Sequence, residues 1–305
     1  DGCISTYPYP EQHGMWDAWS RKYVLLGLLH HHQLTGEAVS LEAGCRMLDH
    51  FMTQAGPGKV RLADCGHWAW QGLPPSSILE PVALLYRLTG NSAYLDYAEW
   101  IVASWNEPSQ FLASGLRLVE AALEGKPARE VGNPKAYEQM SCFEGLCELY
   151  LATGKTEYRE AALSLARSIR ETELTLVGSG SNHEMWCQTA RHQTETLEQP
   201  QETCATVTRM KFCHRLLQLT GSPEWADELE TSLYNALASA MQPDGTWWAY
   251  YNPLNGQRCP SFKQYGDVGL SCCVASGPRG LLLTPQWAVM ESLDGGITVN
   301  LYAPG

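Results

Sequence analysis

The stretch KYVLLGLLHHHQLTG, residues 22–36, sets apolar side chains at helical spacing and then stops on Thr35-Gly36. A glycine there can take the left-handed conformation just past a helix end, where a residue with a Cβ is strained. The same ending recurs as RLTG at Gly90, LATG at Gly154 and QLTG at Gly221. These follow SSILEPVALLYRL, EQMSCFEGLCELYLA and TVTRMKFCHRLLQL, each with helical spacing of its own. In three of the four an aromatic stands four residues past the glycine, at Tyr94, Tyr158 and Trp225, inside a second helical stretch. The glycines lie 54, 64 and 67 residues apart, so the pattern predicts helix, Thr-Gly turn, helix, four times over.

Such hairpins can form an open solenoid or close into a ring. The long segments between them favour the ring. ADCGHWAWQGLPP (63–75) and VGSGSNHEMWCQTARHQTETLEQPQ (177–201) are rich in Trp, Gly, His and Pro, and long ordered loops on one rim are how a scaffold builds a pocket. The expectation is an all-α, (α/α)6-barrel fold. Four hairpins are visible where six are needed, and the start Asp1-Gly2-Cys3-Ile4-Ser5 has no initiator Met or signal pattern. The chain is therefore expected to begin partway round the toroid. GTWWAYYNPL (245–254) and GITVNLYAP (296–304) read as strands. The expected division is a barrel domain over 1–293, with 294–305 opening a β-sandwich.

Composition sets the class of partner. Of 305 residues 44% are hydrophobic, enough for a large core, and 21 Lys+Arg against 33 Asp+Glu leave a net charge of −12. An acidic surface repels phosphate backbones and anionic lipid, so neither nucleic acid nor membrane is an expected partner. No apolar run approaches the roughly 20 residues of a spanning helix. The sequence assigns no compartment and no oligomeric state. The 11 cysteines are an odd number, and most sit in apolar helical stretches, as Cys142 and Cys147 do in SCFEGLCELY. Those read as small buried hydrophobes.

Four residues read differently. Glu202 and Cys204 open the helix before the fourth turn, in ETCATVTRMKF, and GLSCCVASGPRG sets Cys272 beside Cys273. Adjacent cysteines close on each other only through a strained ring. Two neighbouring thiolates with Cys204 and Glu202 make a tetrahedral zinc set of three sulfurs and one oxygen. Spacing alone leaves this beside the plainer reading of two buried thiols.

The ETC triplet, the later CC pair, the YNPL segment at 251–254 and the VNLY segment at 299–302 together resemble the β-L-arabinofuranosidases of glycoside hydrolase family 127. The related family 146 and the former domain of unknown function 1680 belong to the same group. The resemblance runs from about residue 14 to the C-terminus. It implies an (α/α)6 barrel followed by β-sandwich domains and a Zn2+ held by Glu202, Cys204, Cys272 and Cys273. It also implies a cysteine nucleophile, which falls on Cys272. The family's acid/base glutamate precedes the ETC glutamate by sixteen residues in a Gly-rich loop. Here GSGSNHEMW puts Glu184 eighteen residues ahead of Glu202, and the two are aligned across a two-residue insertion. Glu195 and Glu198 are competitors in a polar run. Between His183 and Met185-Trp186, Glu184 is expected to be desolvated, as an acid catalyst requires. Tyr250 stands where the family places an active-site tyrosine.

Further substrate contacts are expected from His183 and from His67, Trp68 and Trp70, whose rings suit apolar sugar faces; core packing is the alternative. His30, His31 and His32 point in different directions on a helix and cannot ligate one ion. The sequence also departs from the family: WDAWSRKY and LPPSSILE stand where characterised members carry pocket histidines. Asp17, Arg21 and Lys22 occupy the first of these, and a basic pair suits a carboxylated sugar, as in the aceric acid-releasing branch. The expected activity is retaining hydrolysis of a terminal, β-L-arabinofuranose-like sugar from a glycan. The alternatives are an acidic L-sugar substrate, another carbohydrate-active (α/α)6 enzyme with structural zinc, or a non-catalytic ring that binds glycans or proteins.

Overall fold

In the computed structural model, residues 2–8, 14–66, 71–258 and 271–302 are described. The four expected hairpins are all present: Met15–Thr35 with Ala38–Met52, Leu79–Thr89 with Ser92–Ser104, Ala136–Thr153 with Thr156–Thr172, and Thr203–Thr220 with Pro223–Thr231. Each turns by one device. The glycine is left-handed, with φ of 75°, 70°, 71° and 64° at Gly36, Gly90, Gly154 and Gly221. The threonine before it donates its hydroxyl to the carbonyl four residues back, 2.7 Å away in every case. The same hydroxyl accepts the backbone N–H two residues on, at 3.1–3.3 Å. One side chain thus adds a donor to a carbonyl of the last helical turn and satisfies a free N–H ahead of the next helix. The aromatics four residues past the glycine, Tyr94, Tyr158 and Trp225, are buried. Tyr94 and Tyr158 donate their hydroxyls to Asp49 and Glu99 on preceding hairpins.

The chain divides into two compact units, one of residues 1–126 and 130–165, the other of 127–129 and 166–305. In the first, Ala136–Leu149 is buried at every position, including Glu138, Gln139, Glu144 and Glu148. A helix buried around its whole circumference keeps its polar groups only by pairing them. On Met15–Thr35, Arg21 Nε lies 3.0 Å from Asp17 and Lys22 Nζ lies 3.4 Å from Glu80, all four side chains being 0–2% exposed.

In the second unit the Thr203–Thr220 helix packs against Pro223–Thr231 and against Cys272–Ala288. Val289–Glu291 and Ile297–Val299 form an antiparallel pair, which bears out the second strand reading. The first is corrected. Residues 245–254 make only isolated bridges, Met241 with Trp248 and Glu202 with Tyr251. Their alternation is interrupted because their backbone is stitched to a helix start rather than to a neighbouring strand. No helix among the described residues is long and apolar enough to cross a membrane.

His214 on the Thr203–Thr220 helix lies 5.9 Å from the Trp287 ring. Burial first, then Arg215 and Lys211, pull its pKa down to about 3. The unfolded chain therefore binds a proton near pH 6.5 that the folded chain takes up only near pH 3, so stability is full above 6.5 and falls as pH drops. His214→Phe should remove up to about 2 kcal/mol of the stability lost between pH 7 and 5. Urea denaturation at both pH values measures this, and an unchanged pH slope would contradict it.

Candidate active site and metal centre

Residues 173–202, between two helices, carry Glu184. The loop is folded on itself through Asn182, which bridges to Met185 and to Pro200. The His183 N–H donates to the Gln199 carbonyl at 3.0 Å and the Gln201 N–H to the Ser181 carbonyl at 2.9 Å. At its end Glu202 occupies the N-cap position of the Thr203–Thr220 helix without a side-chain cap bond. The 249–252 segment is tied to that helix start. The Thr203 N–H donates to the Tyr250 carbonyl (3.0 Å) and the Thr203 hydroxyl to the Ala249 carbonyl (2.8 Å). Asn252 Nδ2 donates to the Gln201 carbonyl and to Thr203 Oγ1, both at 3.0 Å, while Gln201 Nε2 donates to the Asn252 carbonyl at 2.7 Å. The asparagine of the NPL segment is therefore the clasp that sets Tyr250 beside Glu202.

The Cys272–Ala288 helix completes the cluster. Gly277 lies where any Cβ would run into the Trp248 ring, and a Cβ on Gly280 would stand 2.8 Å from Leu237 and 2.9 Å from Val207. Two bare backbone positions let this helix approach closely enough for its first turn to meet Cys204. Cys204 Sγ lies 3.5 Å from Cys273 Sγ, which lies 4.0 Å from Cys272 Sγ; Glu202 Oε1 is 3.5 Å from Cys272 Sγ and 3.9 Å from Cys273 Sγ. The four ligand atoms fall within 4.8 Å of one another, a group that can hold a metal ion. Glu202, Cys204 and Cys273 are buried, whereas Cys272 is only part-buried. Hydrogen bonds with the Cys204 and Cys273 thiols, the largest causes, and then with the Tyr250 hydroxyl outweigh burial and pull the Cys272 pKa down to about 3. Burial pushes the Cys204 and Cys273 thiols up.

Tyr250 links this cluster to the loop. Its hydroxyl lies 3.5 Å from Cys272 Sγ and donates to Glu184 Oε1 at 2.6 Å. Glu184 Oε1 and Cys272 Sγ are thus at most about 6 Å apart. Tyr251, which sequence reasoning missed, also donates to Glu184 Oε1, at 3.3 Å. Strand alternation sends neighbouring side chains to opposite faces. The irregular backbone here instead sets the two rings 4.4 Å apart. Burial first, then nearby carboxylates, holds both phenols above their usual pKa, so both remain donors at neutral pH.

The other expected site residues are placed as follows. Glu195 pairs with His192 at 3.0 Å and Glu198 with His183 at 3.2 Å, both glutamates well exposed. Of the three loop glutamates Glu184 is the one beside the cluster. It is part-exposed and its carboxylate meets phenol hydroxyls, not the apolar enclosure expected of Met185 and Trp186. His183 is half-exposed and turned to Glu198 rather than to the cluster. His67, Trp68 and Trp70 lie outside the described residues.

Residues 1–283 match the family described as Beta-L-arabinofuranosidase, GH127 catalytic domain. The non-reducing end β-L-arabinofuranosidase of Bifidobacterium longum subsp. longum is 25% identical over 98% of this chain and 50% of its own length. The chain thus spans about half of that relative. A solved GH127 β-arabinofuranosidase superposes with a TM-score of 0.68 at 22% identity, over 94% of this chain and 43% of the other. A GH127 β-L-arabinofuranosidase from Geobacillus stearothermophilus T6 gives 0.69 at 18% identity, over 97% and 50%. The fold shared with such structures is the expected (α/α)6 barrel.

The cluster should carry about one metal ion per chain as purified. Elemental mass spectrometry should find the metal largely gone from Cys204→Ala and retained in Cys187→Ala, whose thiol lies outside the cluster. Equal metal in both variants would show that another site holds it.

Proposed function

Because this chain belongs to the family of GH127 β-L-arabinofuranosidase catalytic domains, we propose that it is a retaining glycoside hydrolase releasing a terminal β-L-arabinofuranose-like sugar from a glycan. Cys272 is the nucleophile and Glu184 the acid/base. The observation that carries this reading is the Tyr250 hydroxyl, which touches both Cys272 Sγ and Glu184 Oε1. It supports a single reaction centre with an attacking group on one side and a proton donor on the other.

Zinc suits the donor set. Zn–S bonds of about 2.3 Å in a tetrahedron require ligand-to-ligand edges of about 3.8 Å. The sulfur–sulfur distances of 3.5 and 4.0 Å bracket that edge. Soft thiolates also select zinc over magnesium or calcium. Glu202, Cys204, Cys272 and Cys273 would hold it. When bound, zinc keeps the sulfurs deprotonated at neutral pH and eases the departure of Cys272 as a leaving group.

The chain's own residues supply the steps. Cys272 sulfur donates an electron pair to the anomeric carbon while the glycosidic C–O bond breaks towards oxygen. Glu184 gives its proton to that oxygen, so an alcohol leaves and Glu184 becomes a carboxylate. A water then enters, and Glu184 takes its proton as its oxygen bonds to the anomeric carbon. The C–S bond breaks back towards Cys272. Two inversions give net retention. Tyr250 and Tyr251 both donate to Oε1 of Glu184, which fixes that oxygen beside the reaction centre. Arg21 and Lys22 already face Asp17 and Glu80, so the basic pair that suited an acidic sugar is internally matched. A neutral sugar is the reading this favours.

Cys272→Ser should lower turnover of an aryl β-L-arabinofuranoside by at least about 1000-fold with the helical circular dichroism unchanged. Proton NMR of the wild-type reaction should show the β-anomer first. Early α-anomer, or a near-normal rate for Cys272→Ser, would overturn the mechanism.

A further inference from the structure

Glu173 directly follows the Thr156–Thr172 helix and is fully buried. The C-terminal end of a helix repels a carboxylate, and no ion pair to Glu173 is found among the described residues. What holds it is backbone. Its Oε2 accepts three consecutive N–H groups, from Cys187 at 3.0 Å, Gln188 at 2.8 Å and Thr189 at 3.2 Å. Successive N–H groups around a left-handed residue, here Gln188 with φ of 63°, form an anion-binding concavity. The protein fills that concavity with its own side chain.

The loop gripped in this way is the strained one. Among the described residues six non-glycine residues have positive φ, and five of them lie between 181 and 201: Ser181, His183, Glu184, Gln188 and Gln201. Each is a strained conformation for a residue with a Cβ and persists only where its surroundings over-determine it. Glu184 is one of them, with φ of 65°. Glu173 fixes the segment starting three residues beyond it. Gly180, on the other side of Glu184, is packed so closely that a Cβ would overlap the Glu173 carbonyl. Glu173 thus grips the loop on both flanks of Glu184, by its side chain on one and its backbone on the other.

We infer that Glu173 is a positioning residue, whose carboxylate holds the strained 181–201 loop so that Glu184 reaches the leaving group as an acid. This rests on the reading of Glu184 as acid/base. Its loss should therefore damage protonation of the leaving group rather than attack by Cys272.

The test compares Glu173→Gln, Glu184→Gln and the wild type, each zinc-loaded, on methylphenyl and dinitrophenyl β-L-arabinofuranosides. The methylphenol leaves only with a proton, whereas the dinitrophenol leaves without one. Charge-assisted hydrogen bonds are about twice as strong as neutral ones, so the isosteric amide weakens the grip without emptying the site. For Glu173→Gln, kcat/KM should fall about 30-fold on the methylphenyl substrate and less than about threefold on the dinitrophenyl one. Zinc content should be unchanged and amide exchange at residues 187–189 should quicken. If Glu173→Gln folds poorly, Glu173→Asp, which keeps the charge but withdraws it by one methylene, should give the same pattern. Equal losses on both substrates, or none, would overturn the inference provided Glu184→Gln still discriminates between them. A Glu184→Gln variant that does not discriminate would instead overturn the acid/base assignment.

Discussion

Three sulfurs and a carboxylate within 4.8 Å of one another, three of the four residues buried, form a group that can hold a metal ion, and bringing them together is the constraint on this part of the chain. Much of the second unit is built to hold it. Two helices must begin at the same point, so that Cys204 enters from the second position of one and Cys272 and Cys273 from the first two of the other. The positive ends of both helix dipoles then face the thiolates. Asn252 and Thr203 stitch the intervening backbone to the first helix start, which sets the Tyr250 hydroxyl between the cluster and Glu184. The site is thus an anionic knot whose shape is settled by where helices start.

The parts legible in the sequence are those in which a local rule and the tertiary structure agree. Thr-Gly marks a turn because the hydroxyl and the left-handed glycine do their work within seven residues of chain. The ETC and CC motifs are legible because ligand chemistry restricts residue type. Tyr251 was not legible, since a strand reading sends it away from Tyr250, and the tie to Thr203 that defeats the alternation spans 47 to 49 residues of sequence. In the sequence Glu184 is set apart from Glu195 and Glu198 by alignment and by an expected apolar enclosure, whereas its carboxylate meets phenol hydroxyls. Their partners separate them: phenols for Glu184, histidines for the others.

The first unit shows the opposite balance. Arg21 and Lys22 stand out in the sequence as a basic pair, yet each is buried against a carboxylate, and Lys22 Nζ also lies over the Trp19 and Tyr23 rings at 5.4 and 5.3 Å. A charge read from sequence says nothing of its partner when that partner lies 58 residues away, as Glu80 does from Lys22. Pairing converts apparent ligand groups into internal structure, so such residues taken from sequence say little by themselves about a substrate.

Gly277 and Gly280 lie outside the cluster, yet Gly277 sets how closely the Cys272–Ala288 helix lies on Trp248 and Gly280 how closely it lies on Val207 of the Thr203–Thr220 helix, the two helices that bring the sulfurs together. A group of residues that can hold a metal ion leaves little slack in its ligand positions, so this seam acts as the gauge block for the cluster. A methyl group at Gly277 or Gly280 would disturb the cluster with all four of its residues still in the sequence.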